Sequence, residues 1–314
     1  MIKAPPTPKG FRDILPELAA KRRGAINTIV AVLKEFGFVP IETPTIEFAE
    51  TLTGKYGEEE KLIYKFKDRG DRELALRYDL TVPLARFIAS NQALIAKGPF
   101  SRYQIGQVFR GENPQAGRWR EFTQFDFDTV GPLRQSDSEA RSNEAAQDAK
   151  IIACAIKATR KLGLAKAQLA VNDRQNFENI PVNVIRAYDK LHKIGKEGVE
   201  KELVAEGYTN EETIDYLKKL ENSIPTDNLI KIFEVLESEY KLEQNKDFFF
   251  DKTLARGLDY YTGAIFELKP DENPASLSIG AGGRYDNLIG MFAGKQIPAV
   301  GFSFGLDRLT TLLP

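Results

Sequence analysis

Residues 109–128 read "FRGENPQAGRWREFTQFDFD", and the second half of that stretch decides what kind of sheet the chain builds. In "REFTQFDFDTV" the two-residue period of a strand puts Phe122, Gln124, Asp126 and Asp128 on one face and Thr123, Phe125 and Phe127 on the other. An amide and two carboxylates make poor core material; on a lone strand they would be the wet side of a half-exposed sheet. The segment before it, "FSRYQIGQVFR", is also strand-like, and Arg110 ends it just ahead of a polar loop that carries Glu112, Arg118 and Arg120. Guanidinium forks bind phosphate through paired hydrogen bonds, and an aromatic such as Phe122 can stack on a base. Strand, arginine-bearing loop and return strand together suit a nucleotide clamp.

Outward from this hairpin, the first half of the chain (1–174) reads as antiparallel β with helices packed on it. A proline-rich arm, "KAPPTPKGFRDILP", leads into a helix from about Pro16 to Phe36, with Ile26, Ile29, Val30 and Leu33 at helical spacing. "FVPIETPTIEF" alternates around two prolines, as a strand at a sheet edge or a dimer seam does. "LIYKFKD" and "ELALRYDLT" flank a glycine turn and predict a hairpin; "TVPLARFIASN" predicts a short helix. From 175 to 245 the text turns helical and highly charged, with a capping box at Thr209–Glu212, and is expected to be a helical insertion. Strand patterns return over 246–314, where "PAVGFSFGLDRLTTLL" runs from strand to helix. The predicted class is α+β: a mainly antiparallel sheet flanked by helices, interrupted by the insertion.

Composition excludes several chemistries. Of 314 residues, 44 are Lys or Arg and 45 are Asp or Glu, so a polyanion must be met by local arginine clusters rather than a basic field. The single cysteine rules out an intramolecular disulfide. With the one histidine, it leaves no thiolate or imidazole zinc cluster. Cys154, in "AKIIACAIKA", reads as a small core residue and His192 as a helix-surface side chain. No apolar run is long enough to span a bilayer and no leader precedes the fold, so a cytoplasmic protein is expected.

At this point the stretches become specific. "FRGE", its loop and "REFTQFD" resemble motif 2 of the class II aminoacyl-tRNA synthetases, "AVGFSFGLDRL" resembles motif 3, and "VPIETPTIE" resembles the weaker motif 1 with Pro44 as its proline. Within the class, "LARGLDYYTG" and "AGGRYD" look like the two signature stretches of histidyl-tRNA synthetase, and "LALRYDLTVPLARF" like its amino-acid-binding segment. The resemblance covers almost the whole chain.

The resemblance implies roles at matching positions. Arg110 is similar to the motif 2 arginine that grips the α-phosphate of ATP and the substrate carboxylate, and Arg256 to the second catalytic arginine facing it. Glu112 would meet the adenine amino group, Phe122 would stack on adenine, and Arg118 and Arg308 would hold the outer phosphates. Asp79, Thr81 and Gln124 look like the acceptors for the α-ammonium of histidine. Asp128 and Tyr261 would contact the imidazole nitrogens, with Tyr260 and Tyr285 walling the pocket. Magnesium bridging the phosphates is expected from the chemistry, with no ligands legible, so the metal site stays open. Histidine, ATP and tRNA(His) are the implied substrates and a homodimer the implied assembly. Relatives of this family continue beyond motif 3 into an anticodon-binding domain to which nothing here corresponds, so a catalytic body is expected. A histidine-sensing regulatory paralog, such as the synthetase-like regulatory subunit of ATP phosphoribosyltransferase, is the alternative. The full set of phosphate-binding arginines argues against it.

Overall fold

The computed structural model describes residues 5–114, 117–132, 144–255, 260–271 and 276–313. Helix α1 (Pro16–Glu35) opens with proline in its first turn, where the missing N–H costs nothing, and buries Ala25, Ile29, Val32 and Leu33. Strand β1 (Val39–Pro40) follows, then β2 (Ile46–Phe48), the short α2 (Ala49–Leu52), and the hairpin β3 (Lys65–Lys67) and β4 (Glu73–Leu76). Next come α3 (Thr81–Ser90), β5 (Phe100–Phe109), β6 (Glu121–Val130), α4 (Glu144–Lys161) and β7 (Gln168–Asp173). Four helices succeed one another: α5 (Val182–Tyr188), α6 (Leu191–Ala205), α7 (Asn210–Glu221) and α8 (Asp227–Ser238). The chain closes with β8 (Phe248–Phe250), β9 (Ala264–Lys269), β10 (Gly280–Arg284), α9 (Gly290–Ala293), β11 (Ala299–Gly305) and α10 (Leu306–Leu312).

The main sheet runs β1-β5-β6-β11-β10-β9-β7-β8. Every pairing from β5 across to β7 is antiparallel, and only the outermost, β1 on β5 and β8 on β7, are parallel. One face is the core face. Phe125 and Phe127 on β6 are fully buried there with Phe302 and Phe304 on β11, and α1, α4 and α8 cover them. A second, smaller sheet, β2-β4-β3, packs with α3 around another apolar cluster that includes Tyr78, Leu84 and Tyr285.

The helical stretch expected over 175–245 divides by packing. Helices α5, α6 and α7 gather their own cluster around Val184, Tyr188, Val199, Leu203, Leu217 and Leu220, and α6 bends at Gly195, whose φ of 69° suits glycine. The capping box of Thr209 and Glu212 starts α7. Helix α8 instead sends Leu229, Ile232, Phe233 and Leu236 into the main core against α4.

Cys154 is buried in α4, and exposed His192 hydrogen-bonds Thr253 through Nε2 at 2.7 Å. Among the described residues no helix is long and apolar enough to cross a membrane.

Candidate active site

The face of the sheet opposite the core is the floor of a cleft of about 740 Å³. The alternation of β6 accounts for it: with Phe125 and Phe127 turned into the core, Phe122, Gln124, Asp126 and Asp128 line the cleft. Beside them on β11 lie Gly305, Ser303 and Gly301, in register with Gln124, Asp126 and Asp128. Gly301 is required by space. A Cβ there would sit 1.8 Å from Asp128 Oδ1, so the carboxylate lies over a strand with no side chain beneath it.

Asp128 is held from two sides. Tyr285 Oη donates to its Oδ1 at 2.5 Å, and the fully buried Arg102 on β5, its register partner, places Nη2 2.6 Å from Oδ2. The Arg102 contact is an ion pair whose angles fall outside hydrogen-bonding range. Burial raises the pKa of Asp128 above the usual carboxylate range, against the lowering pull of Arg102 and of the Tyr285 hydroxyl. Asp126 is buried as deeply. Burial pushes it up to about 7, with Arg102 opposing, the neighbouring charge of Asp128 adding to the rise, and a hydrogen bond from Ser303 opposing it again. Ser303 Oγ in turn accepts from Gln124 Nε2 at 2.9 Å, which leaves Gln124 Oε1 as a buried acceptor without a partner among the described residues.

The opposite wall starts at Asp79. Its Oδ1 accepts from the backbone amides of Thr81 and Val82, where α3 begins, and from Tyr56 Oη at 3.0 Å. Burial raises its pKa, while the Val82 amide, the charge of Arg110 and the Tyr56 hydroxyl pull it back. Arg110 lies across the cleft over two rings, 4.2 Å from the centroid of Tyr78 and 5.1 Å from that of Phe122, with Nε donating to Tyr78 O at 3.2 Å. Tyr260 packs on Tyr261 (4.9 Å between centroids) and edge-on to Tyr285 (6.1 Å).

Toward the mouth, Arg118 donates to Glu112 Oε2 at 3.2 Å and Arg308 donates to Ser278 O at 3.1 Å. The helix carrying Arg308 is tied to β6 through Asp307. That carboxylate accepts from the Thr123 amide at 2.9 Å, from Arg22 at 2.5 Å and from Arg12 of the N-terminal arm.

The cleft thus gathers Asp79, Thr81, Arg110, Glu112, Arg118, Phe122, Gln124, Asp128, Tyr260, Tyr261, Tyr285 and Arg308 from segments spread over the chain. Arg256 lies outside the described residues. Residues 10–309 match the family described as histidyl-tRNA synthetase. The chain belongs to that family. It is 42% identical over 333 aligned residues to the histidine–tRNA ligase of Aeropyrum pernix, an alignment covering 97% of this chain and 73% of that protein. The crystal structure of histidyl-tRNA synthetase from Nostoc sp. PCC 7120 superposes with a TM-score of 0.76 at 30% identity, covering 98% of this chain and 74% of the other. A Bacillus halodurans structure described as an ATP phosphoribosyltransferase regulatory subunit/histidyl-tRNA synthetase also gives 0.76, at 25% identity, covering 98% and 83%.

Against the histidyl-tRNA synthetase pattern, several cleft residues had gone unassigned. Tyr56 and Tyr78 flank Asp79, and Arg186 and Lys190 bring positive charge to the cleft from the inserted helices, beside Lys193, which the sequence already offers to tRNA phosphates. Arg102 lies behind the floor at 0% exposure. Its signal was available in principle: an arginine inside the strand opposite two carboxylates must be paired or it would not be buried. Asp126 carried its signal openly, two residues from both Gln124 and Asp128 on the polar face. Among the described residues no cluster of three His, Cys, Asp or Glu side chains could hold a metal ion.

Proposed function

We propose that the chain is the catalytic body of a histidine–tRNA ligase, which joins histidine to ATP as histidyl-adenylate, releases pyrophosphate, and passes the histidyl group to tRNA(His). The observation that carries this is the meeting, in one cleft, of a carboxylate-and-tyrosine pocket (Asp79, Gln124, Asp128, Tyr261, Tyr285) with a row of arginines (Arg110, Arg118, Arg308).

In this reading Asp79, Thr81 and the free oxygen of Gln124 receive the α-ammonium, whose three donors need three acceptors. Asp128 and Tyr261 take the imidazole, inside walls formed by Tyr260 and Tyr285. Phe122 stacks on adenine while Glu112 accepts from its amino group. Arg118 and Arg308 hold the outer phosphates. A carboxylate oxygen of histidine attacks the α-phosphorus, the bond to the bridging β-oxygen breaks, and pyrophosphate leaves with that electron pair. Arg110, together with Arg256 by the role its signature stretch implies, neutralises the charge gathering on the non-bridging oxygens. A preorganised donor of this kind contributes about 2.7–4 kcal/mol in a water-excluded site. No protein nucleophile is needed, in keeping with a buried Cys154 and a surface His192. ATP would enter as its magnesium complex, with the Mg2+ held chiefly by the substrate phosphates.

The regulatory-paralog reading has less behind it. A histidine sensor has no use for three arginines in the cleft beside the histidine pocket, and the identity to a ligase, 42%, exceeds the 25% to the structure whose description includes a regulatory subunit. We further place the enzyme in the cytoplasm, as a homodimer through the small sheet, where Ile46, Phe48 and Phe66 are 45%, 50% and 39% exposed. Apolar side chains on a short sheet invite a second copy. Lys193, Lys196 and Lys201 on α6 would face tRNA phosphates, with Lys196 now paired to Glu221.

Histidine-dependent exchange of pyrophosphate into ATP tests the reading, with the other amino acids as controls. Exchange with histidine alone supports it. Histidine binding by calorimetry without exchange would transfer the chain to the sensing class.

A further inference from the structure

We infer that Asp126 is a second specificity-determining carboxylate, which accepts from the imidazole of the bound histidine alongside Asp128; this rests on the ligase reading above. The sheet register is the starting point. Asp126 and Asp128 are neighbours on the cleft face of β6; Arg102 lies opposite Asp128, and the buried Arg77, whose guanidinium donates to the carbonyls of Gln107 and Thr43, interacts with the charge of Asp126 without forming an ion pair with it. Asp128 already has Tyr285 on one oxygen and Arg102 on the other. Asp126 is 2% exposed and lines the cleft, yet its Oδ1 has no hydrogen-bond partner among the described residues.

A buried carboxylate oxygen without a donor is costly, and such groups persist where a ligand completes them. The charges around Asp126 say what kind of ligand. Arg102 ion-pairs with Asp128, Arg110 beside Tyr78 acts on Asp79, Arg77 acts on Asp126 only from beyond ion-pair distance, and Ser303 together with Tyr260, Tyr261 and Tyr285 contributes only hydroxyl dipoles. The floor therefore presents, between Gln124 and Asp128, a buried carboxylate oxygen that no ion pair or hydrogen bond among the described residues holds. A positively polarised ring with an N–H aimed at β6 supplies what is missing. The α-ammonium has its own acceptors at Asp79 and Gln124, which leaves the ring for Asp126. Asp128 sets the position of the ring; Asp126 selects its charge.

The test compares the full chain with Asp126→Asn, measuring pyrophosphate exchange with histidine and with 1,2,4-triazole-3-alanine. That analogue matches histidine in shape and keeps a ring N–H but is far less basic. The amide has the size of the carboxylate without its charge. Asn keeps an acceptor oxygen but not the charge, so the hydrogen bond falls from the charged to the neutral class, about tenfold, and KM for histidine should rise by that factor with KM for ATP unchanged. The preference for histidine over the triazole analogue should collapse with it. A histidine KM within twofold of wild type, or a raised KM with the preference intact, would overturn the assignment, the second by moving Asp126 to the ammonium. Loss of cooperative thermal unfolding in the variant would also overturn it, because it would make Asp126 a structural group. Absence of exchange in the wild type would instead strike at the ligase reading itself.

Discussion

Tyr285 and Asp128, 157 positions apart in the chain, meet at 2.5 Å between hydroxyl and carboxylate on the floor of the cleft. The contact joins the signature strand β10 to the motif 2 strand β6 across β11, so the pocket is closed by sheet topology rather than by a loop. Tyr285→Phe removes the donor and leaves the ring. We expect KM for histidine to rise about tenfold or more, from the loss of a hydrogen bond to a charged acceptor, while KM for ATP stays unchanged and stability falls by about 1–3 kcal/mol, the cost of a buried acceptor left without its donor. An unchanged histidine KM in the exchange assay would show that the hydroxyl does not orient Asp128 for substrate.

Gly301→Ala probes the same carboxylate from below. The added methyl would stand 1.8 Å from Asp128 Oδ1, far inside contact distance, and neither the strand nor the Arg102 pair can move away cheaply. The carboxylate must swing off Arg102, which leaves a buried guanidinium without its counter-charge, a loss of about 3–5 kcal/mol where buried pairs are broken. Expected are a lower melting temperature and no measurable histidine-dependent exchange. A variant that folds and turns over like wild type would mean that Asp128 is not confined as described.

How much of this was legible beforehand follows from what period and spacing can carry. The two faces of β6 were readable because alternation is local, and Phe125 and Phe127 did turn inward while Gln124 and Asp128 lined the cleft. The hairpin at Gly70 and the helix of "TVPLARFIASN" were readable for the same reason. Arg102 was not, because its meaning lies in the strand opposite: only the register Arg102 to Asp128 turns a strand arginine into a counter-charge. Helix α8 was grouped with its neighbours because its sequence is equally charged outside its apolar stripe. That Leu229 and Phe233 meet the main core rather than α7 is a fact of tertiary packing. Asp126 lay on the predicted face and stayed unassigned, since the resemblance offered no role for it.

Arg110 lies over the rings of Tyr78 and Phe122 and is not itself buried in the core, so its removal should separate catalysis from stability. Arg110→Ala should lower kcat for exchange by about 10²–10³-fold, the usual consequence of deleting one preorganised donor at a developing charge. Unfolding free energy should fall by no more than about 1 kcal/mol, the size of an exposed cation–π contact. Rate loss matched by a large drop in melting temperature would mark Arg110 as a structural arginine.

Acid and base should act on this protein through the carboxylates under the cleft. Burial raises Asp126 to about 7 and Asp148 to about 6, the latter opposed by its ion pair with Arg284 (2.7 Å). The unfolded chain releases those protons near the ordinary aspartate value of 3.8. Between roughly pH 4 and 7 the folded state therefore binds more protons than the unfolded one, and stability falls as pH rises, with a slope approaching about 1.4 kcal/mol per pH unit for each such group. Surface carboxylates such as Asp68 and Glu212, held below their usual range by hydrogen bonds from Arg72 and Thr209 respectively, act in the opposite direction and only toward the acid end. Asp126→Asn isolates the buried term. Its melting temperature should exceed that of wild type at pH 8, where the wild-type carboxylate is forced to ionise, and the gap should close as pH drops toward 5. Parallel melting curves from pH 5 to 8 would show that Asp126 ionises freely in the folded protein, and would remove burial as the source of its altered acidity.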